Sequence, residues 1–189
     1  MPIKAETKNR ETALTPQRLE TLDTHRVMSL IPVMPYHTVA DIACGTGYFT
    51  VPLAKYVFDG RIYAVDTQQD ALDATKQAVE KLRLTNVETV LTKERKLNLE
   101  DDSLDGILAP FAFSNVDDPK KLLKDAHRVL RRGGWLAALE WNTKESGDGP
   151  PVDRRVGEDA LRQIAEKLGF RFTGRYHLND AQYMLLLRK

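Results

Sequence analysis

Asp41, Gly45, Gly47 and Asp66 have the residue types and the spacing to hold a charged ligand that carries a sugar. The run Asp41-Ile42-Ala43-Cys44-Gly45-Thr46-Gly47-Tyr48-Phe49-Thr50 continues a short apolar segment that begins at Val39. Glycines at 45 and 47 permit positive φ and let a ligand approach the backbone closely. A helix starting after them offers free N–H groups to a carboxylate or phosphate. Gly-Thr-Gly by itself is a weak signal. Asp66 strengthens it, because an acidic residue about 20 positions beyond such a turn, at the end of a second strand, is placed to accept hydrogen bonds from ribose hydroxyls. A nicotinamide dinucleotide is disfavoured on two counts. Its fingerprint requires a third glycine where Thr50 stands, and its pyrophosphate would meet the Asp41 carboxylate. A ligand with an ammonium group would pair with Asp41 directly or through water. S-adenosylmethionine has an ammonium, a carboxylate and a ribose.

The segments around these residues alternate between strand and helix patterns. Val39 to Ala43 reads as a buried strand, and a helical run through Leu53, Ala54 and Val57 follows the glycines. Arg61 to Asp66 is a second strand, followed by a helix whose apolar face is Ala71, Leu72, Thr75, Ala78, Val79 and Leu82. Asn86 to Leu91 and Leu104 to Ala109 are the third and fourth strands. Asp118 and Pro119 suit the N-cap and first turn of a helix with Leu122, Leu123, Ala126, Val129 and Leu130 on one face, predicted to stop at Gly133. Trp135 to Trp141 is a fifth strand, and a last helix covers Glu158 to Leu168. Phe170 to His177 and Ala181 to Arg188 close the chain as an antiparallel pair, since Leu178-Asn179-Asp180 is too short for a crossover. These βα units predict an α/β fold in three layers, a mostly parallel sheet with one reversed strand. Residues 1–35, with Leu19, Leu22, Val27, Leu30 and Ile31 at helical intervals before Pro32 and Pro35, read as an N-terminal helical cap. Residues 36–189 form the ligand-binding domain, the whole being one globular unit.

Composition narrows the partners. The 189 residues hold 28 Lys+Arg against 27 Asp+Glu, so no overall basic field attracts nucleic acid or an anionic membrane. The single cysteine, Cys44, forms no internal disulfide and no thiolate metal cluster. With no apolar h-region at the start and no run of about 20 apolar residues, the chain is expected to be cytoplasmic and not inserted in a membrane.

The run Val39 to Thr50, together with Asp66, Glu94, the Leu104-Asp105-Gly106-Ile107-Leu108 strand and the Val129-Leu130-Arg131-Arg132-Gly133-Gly134 junction, resembles the class I S-adenosylmethionine-dependent methyltransferases. It is most similar to the branch containing the ubiquinone/menaquinone C-methyltransferases. The resemblance implies a seven-stranded Rossmann-like sheet of order 3-2-1-4-5-7-6 with strand 7 antiparallel. It implies S-adenosyl-L-methionine as cofactor and a small-molecule methyl acceptor as partner, with no nucleic acid and no metal; a homodimer is allowed for. Asp41, Ala43, Gly45 and Gly47 would surround the methionine moiety, with Cys44 and Thr46 of the same turn also counted as cofactor-binding and the Cys44 thiol read as buried rather than as a nucleophile; Asp66 would hold the ribose and Thr67 would pack near the adenine. Glu94 and Arg95 fall where the family places the acidic residue that reaches the adenine amino group, although Thr92-Lys93-Glu94 replaces the usual Gly-Asp-Ala. Ala109 and Pro110 would lie beside the transferring methyl. Ala43 replaces a common glycine, and its methyl is expected to fit only at negative φ.

No catalytic residue is identified. A base is needed only if the acceptor loses a proton, and Glu140, His177 and Asp117 are the candidates. Trp141 with Phe111 and Phe113 would suit an aromatic or lipid-like acceptor, or would be core. His25, His37, His127 and His177 lack metal-ligand spacing. Gly147 to Pro151 reads as a lid. The alternative to an enzyme is a non-catalytic S-adenosylmethionine- or S-adenosylhomocysteine-binding regulatory or scaffold protein.

Overall fold

The computed structural model describes residues 22–93, 96–144 and 149–189. Five parallel strands run through the sheet's first part: β1 (Thr38–Ile42), β2 (Arg61–Asp66), β3 (Val87–Leu91), β4 (Leu104–Pro110) and β5 (Leu130–Trp141). β6 (Arg171–His177) and β7 (Gln182–Arg188) complete it, with β7 antiparallel to both of its neighbours. The order β3-β2-β1-β4-β5-β7-β6 is the one the resemblance implied. Asp41 and Asp66 therefore end neighbouring strands on the same sheet edge, beside the point where strand order reverses.

The helices divide between two faces because strand side chains alternate. α1 (Thr24–Leu30), α2 (Thr50–Tyr56) and α3 (Gln69–Lys81) cover one face, where Val27, Met28 and Leu53 pack with Val39, Trp135, Leu139 and Met184. α4 (Pro119–Val129) and α5 (Glu158–Lys167) cover the other, where Leu122, Leu123, Ala126 and Leu161 meet Ile107, Leu136, Ala138 and Leu185. Each such large side chain contributes roughly 1.5–3 kcal/mol on burial. A single turn of 3-10 helix (Val152–Arg154) precedes α5. None of the helices described is long and apolar enough to cross a membrane.

One boundary differs by several residues from the sequence expectation. α4 starts as expected, with the Asp118 side chain accepting from Lys121 N and Pro119 in the first turn, but it ends at Val129, and β5 begins at once with Leu130. Gly133, at φ +81°, lies within β5, where the register with β4 shifts between Leu104 and Gly106. The chain turns into the strand early because Leu130 is needed opposite Leu104, a pairing the helical pattern does not reveal. The helix after the glycine turn begins at Thr50, since residues 45 to 49 form successive turns.

The described part of the N-terminal cap is integral to the core. Leu22, Val27, Met28 and Ile31 are buried, and Arg26 donates to the carbonyls of His177 and Leu178 across the molecule. Residues 1–21 of that cap lie outside the described residues.

Candidate cofactor site

β1 ends in a turn that is fastened to β2. Gly45 N–H donates to Asp66 Oδ2 at 2.9 Å, and Gln68 N–H donates to Asp66 Oδ1 at 3.0 Å. Cys44 N–H reaches Val65 O at 3.2 Å, and Thr75 Oγ1 on α3 donates to Gly45 O at 2.8 Å. Gly45 and Gly47 both have positive φ, +56° and +87°, as their placement requires. They differ in what surrounds them. A Cβ on Gly47 would lie 3.2 Å from Thr75 Oγ1, whereas one on Gly45 would meet nothing within 4 Å. Gly47 is thus a packing glycine, and Gly45 leaves an open face.

Ala43 overturns one expectation: its φ is +59°, so it occupies the left-handed region with its methyl in place. An alanine there costs about 1–2 kcal/mol relative to its ordinary conformations. The hydrogen bonds of Cys44 and Gly45 to β2 impose the conformation.

Beneath the turn, Asp41 is fully buried and its Oδ2 accepts from Thr50 Oγ1 at 2.6 Å. Asp41 Oδ1 is a buried oxygen with no hydrogen-bond partner among the described residues. Burial raises the Asp41 pKa to about 7, with the Thr50 hydrogen bond opposing the rise and the Asp66 charge adding to it. Leaving one carboxylate oxygen buried and unpaired is costly, which is the condition a ligand ammonium or an ordered water would relieve.

A cleft open to solvent lies beside this turn. Ile42 and Ala43 form one side, Val65 to Gln68 the next, and Thr92, Lys93, Lys96 and Leu97 a third; Ala112, Asn115, Val116 and Leu122 close it. Asp66, Thr67 and Ala43 line the cleft. Cys44 does not: its side chain packs with Ala64 and Leu72, and burial pushes its thiol well above the usual range. Thr46 is exposed, and neither it nor Gly45 nor Gly47 is part of the cleft lining. Glu94 and Arg95 lie outside the described residues, while Lys93 and Lys96, on either side of them, line the cleft.

At the end of β4 the structure moves the wall. Ala109 and Pro110 are buried in the sheet, and the cleft wall is built from Ala112, Asn115 and Val116, which the sequence reading passed over. Only their position directly after a strand end could have flagged them. Phe111, Phe113 and Trp141 are buried by 97% or more; Phe113 joins the core beneath α4, and Phe111 lies 5.4 Å from Trp141 in the opposite core. They are core residues in this structure.

The three candidate bases separate. Glu140 is fully buried, and its carboxylate accepts from Phe113 N, Ser114 N and Ser114 Oγ; burial raises its pKa to about 7 against these hydrogen bonds. It does not face the cleft. His177 is exposed at the end of β6, the outermost strand, 3.3 Å from Glu158. Asp117 is exposed, one residue beyond Val116 of the cleft wall. Among the described residues no group of histidine, cysteine or carboxylate side chains has the arrangement of a metal site. The lid segment is partly outside the described residues. Its described part is tied down, with Arg155 donating to the carbonyls of Pro150, Asn142 and Lys144.

The profile of a family described as a methyltransferase domain matches residues 40–138, more than half of the chain, from mid-β1 to mid-β5. The chain belongs to that methyltransferase-domain family. It is 35% identical over 114 residues to a demethylmenaquinone methyltransferase of Bacillus mycoides, an alignment covering 60% of this chain and 48% of that protein. Homologues of the same description from Bacillus cereus are 33% identical over the same length. The chain thus aligns over about half the length of these curated relatives. A crystal structure of a SAM dependent methyltransferase from Aquifex aeolicus superposes with a TM-score of 0.85 at 29% identity, covering 91% of this chain and 92% of that one. The [4+2]-cyclase SpnF shares the fold alone, with a TM-score of 0.77 at 16% identity over 88% of this chain and 80% of its own. The family and the fold expected from the sequence are both borne out.

Proposed function

We propose that this chain binds S-adenosylmethionine in the cleft between β1, β2 and the segment after β4, and transfers its methyl group to a small, apolar acceptor of aromatic or quinone-like type. The observation that carries the cofactor reading is the buried, unpaired Asp41 Oδ1 beneath a glycine turn whose neighbour strand ends in Asp66. Asp41, buried beneath the turn and not itself part of the cleft lining, would take the ammonium group directly or through a water, Asp66 the ribose hydroxyls, and Thr67 with Leu97 the adenine side of the cleft. When bound, S-adenosylmethionine supplies an activated methyl on a sulfonium leaving group. What remains for the protein is to orient the acceptor and exclude water, which the apolar wall of Ala112, Val116 and Leu122 suits. The acceptor class draws on that wall and on the Bacillus relatives, whose description names demethylmenaquinone.

A non-catalytic binding protein is the second reading, favoured by the burial of Glu140 and the distant placement of His177, which leave Asp117 as the one candidate base near the cleft among the described residues. Calorimetric titration of S-adenosylhomocysteine and of NADH, repeated with Asp66→Ala, tests the cofactor. Binding of S-adenosylhomocysteine alone, weakened by the substitution, supports the reading; failure of the wild type to bind it refutes the reading. Release of S-adenosylhomocysteine from S-adenosylmethionine with a demethylated quinone then separates enzyme from binder.

A further inference from the structure

A carboxylate with no part in holding the cofactor lies under one wall of the cleft. Glu140 follows Leu136 and Ala138 on the face of β5 that α4 and α5 cover, and it is fully buried. Its Oε1 accepts from Phe113 N–H at 2.8 Å and Ser114 N–H at 3.1 Å, and its Oε2 accepts from the Ser114 hydroxyl. Among the described residues it has no cationic partner within ion-pair distance. These three donors come from one short segment, 26 or 27 positions earlier in the chain, and the backbone of Trp141 adds a further interaction from Glu140's own strand.

That segment leaves β4 in an unusual way. Phe111 has φ +56°, a left-handed conformation that a bulky side chain seldom adopts, and its carbonyl accepts from Asn115 Nδ2 at 2.9 Å. Such strain persists where the surroundings over-determine it. Here the surroundings are the Phe111 N–H bond to Leu139 O at 2.7 Å and the three bonds to Glu140. The residues so held, Ala112, Asn115 and Val116, form the cleft wall at the end of β4.

We propose that Glu140 is a positioning residue: its buried carboxylate holds the Phe111–Val116 segment in the shape that makes it the wall of the cofactor cleft. It touches neither cofactor nor acceptor and acts through Phe113 and Ser114. The proposal rests on the cofactor reading above and deepens it.

The test compares Glu140→Gln, Glu140→Ala and Ser114→Ala by amide hydrogen exchange and by calorimetric titration of S-adenosylhomocysteine. A glutamine keeps an acceptor for the two backbone N–H groups and can donate to the Ser114 hydroxyl. Glu140→Gln is therefore expected to bind within about threefold of wild type, and Glu140→Ala about 30-fold more weakly, the loss typical of stranded partners of a charge-assisted bond. Exchange at Phe113 and Ser114 should quicken at least about tenfold in Glu140→Ala, with protection on β7 retained. Unchanged affinity and unchanged exchange at these amides in folded Glu140→Ala overturn the proposal. So does a loss of protection spread equally over β5 and β7, which marks general destabilisation. If Glu140→Ala does not fold, Ser114→Ala decides: local quickening with weaker binding supports the clamp, and neither change refutes it. Should the wild type bind no S-adenosylhomocysteine, the cofactor reading fails, and the exchange data still decide whether Glu140 shapes the segment.

Discussion

The two glycines of the first turn are expected to respond to alanine in opposite ways. At Gly45, φ is +56° and a new methyl meets nothing within 4 Å. The left-handed alanine costs about 1–2 kcal/mol, and the stiffer unfolded chain returns about 0.4–1 kcal/mol, so Gly45→Ala should lower stability by no more than about 1.5 kcal/mol. At Gly47, φ is +87° and the methyl lies 3.2 Å from Thr75 Oγ1, 3.3 Å from Cγ2 and 3.5 Å from Cα. Thr75 is fully buried and cannot swing away. Overpacking adds about 1–3 kcal/mol, and disturbing the Thr75 bond to Gly45 O adds about 1 kcal/mol. With the same left-handed strain included, Gly47→Ala should lose about 2–5 kcal/mol, a fall in Tm of about 5–20 °C for a chain of this length. Ligand binding should rank the other way. The Gly45 methyl projects into the open face of the turn and should weaken S-adenosylhomocysteine by at least about tenfold. Thermal unfolding and calorimetric titration of both variants give the answer. If Gly45→Ala binds as tightly as wild type, or is the less stable of the two, the assignment of one glycine to packing and the other to the ligand is wrong.

Asp41 makes stability depend on pH in a defined direction. Its folded-state pKa of about 7 stands above its unfolded value, so the folded state holds the extra proton between about pH 4 and 7. Stability contributed by that proton is present at low pH and is lost as pH rises toward 7. Urea unfolding at about pH 5.5 and about pH 8 should therefore show a larger fall for wild type than for Asp41→Asn, while Glu140, shifted in the same sense, acts in both proteins. A ligand ammonium prefers ionised Asp41, so S-adenosylhomocysteine affinity should rise with pH through 7 in wild type but not in the variant; parallel curves would remove Asp41 from the site. Gly106→Ala should cost about 3 kcal/mol or prevent folding, because its Cβ would lie 2.1 Å from the buried Trp135 ring on the paired strand. A soluble variant with unchanged Tm would contradict that packing.

Much of the fold was legible because it is written in short-range patterns. Apolar alternation, the Asp118-Pro119 helix start and the three-residue link between the last two strands are local, and each element appears where they placed it. Asp66 and the glycine turn were legible for the same reason: their spacing reflects one βαβ unit, and Gly45 N–H does meet Asp66. The order 3-2-1-4-5-7-6 came from the family resemblance.

Tertiary structure alone decided how side chains divide between core and cleft. Phe111, Phe113 and Trp141 carry the residue types of an aromatic pocket, yet packing between layers buries them, since burial depends on what the opposite layer supplies. Glu140 reads as a base at a strand end; only the return of the chain after β4 shows that its carboxylate serves Phe113 and Ser114. Ala43 is forced to φ +59° by hydrogen bonds formed across to β2, against its own preference. Sequence determines what each residue prefers locally and which face of its element it joins. Which preferences give way is settled by contacts between distant parts of the chain, whose combined free energy outweighs the kilocalorie or so at stake in any single residue.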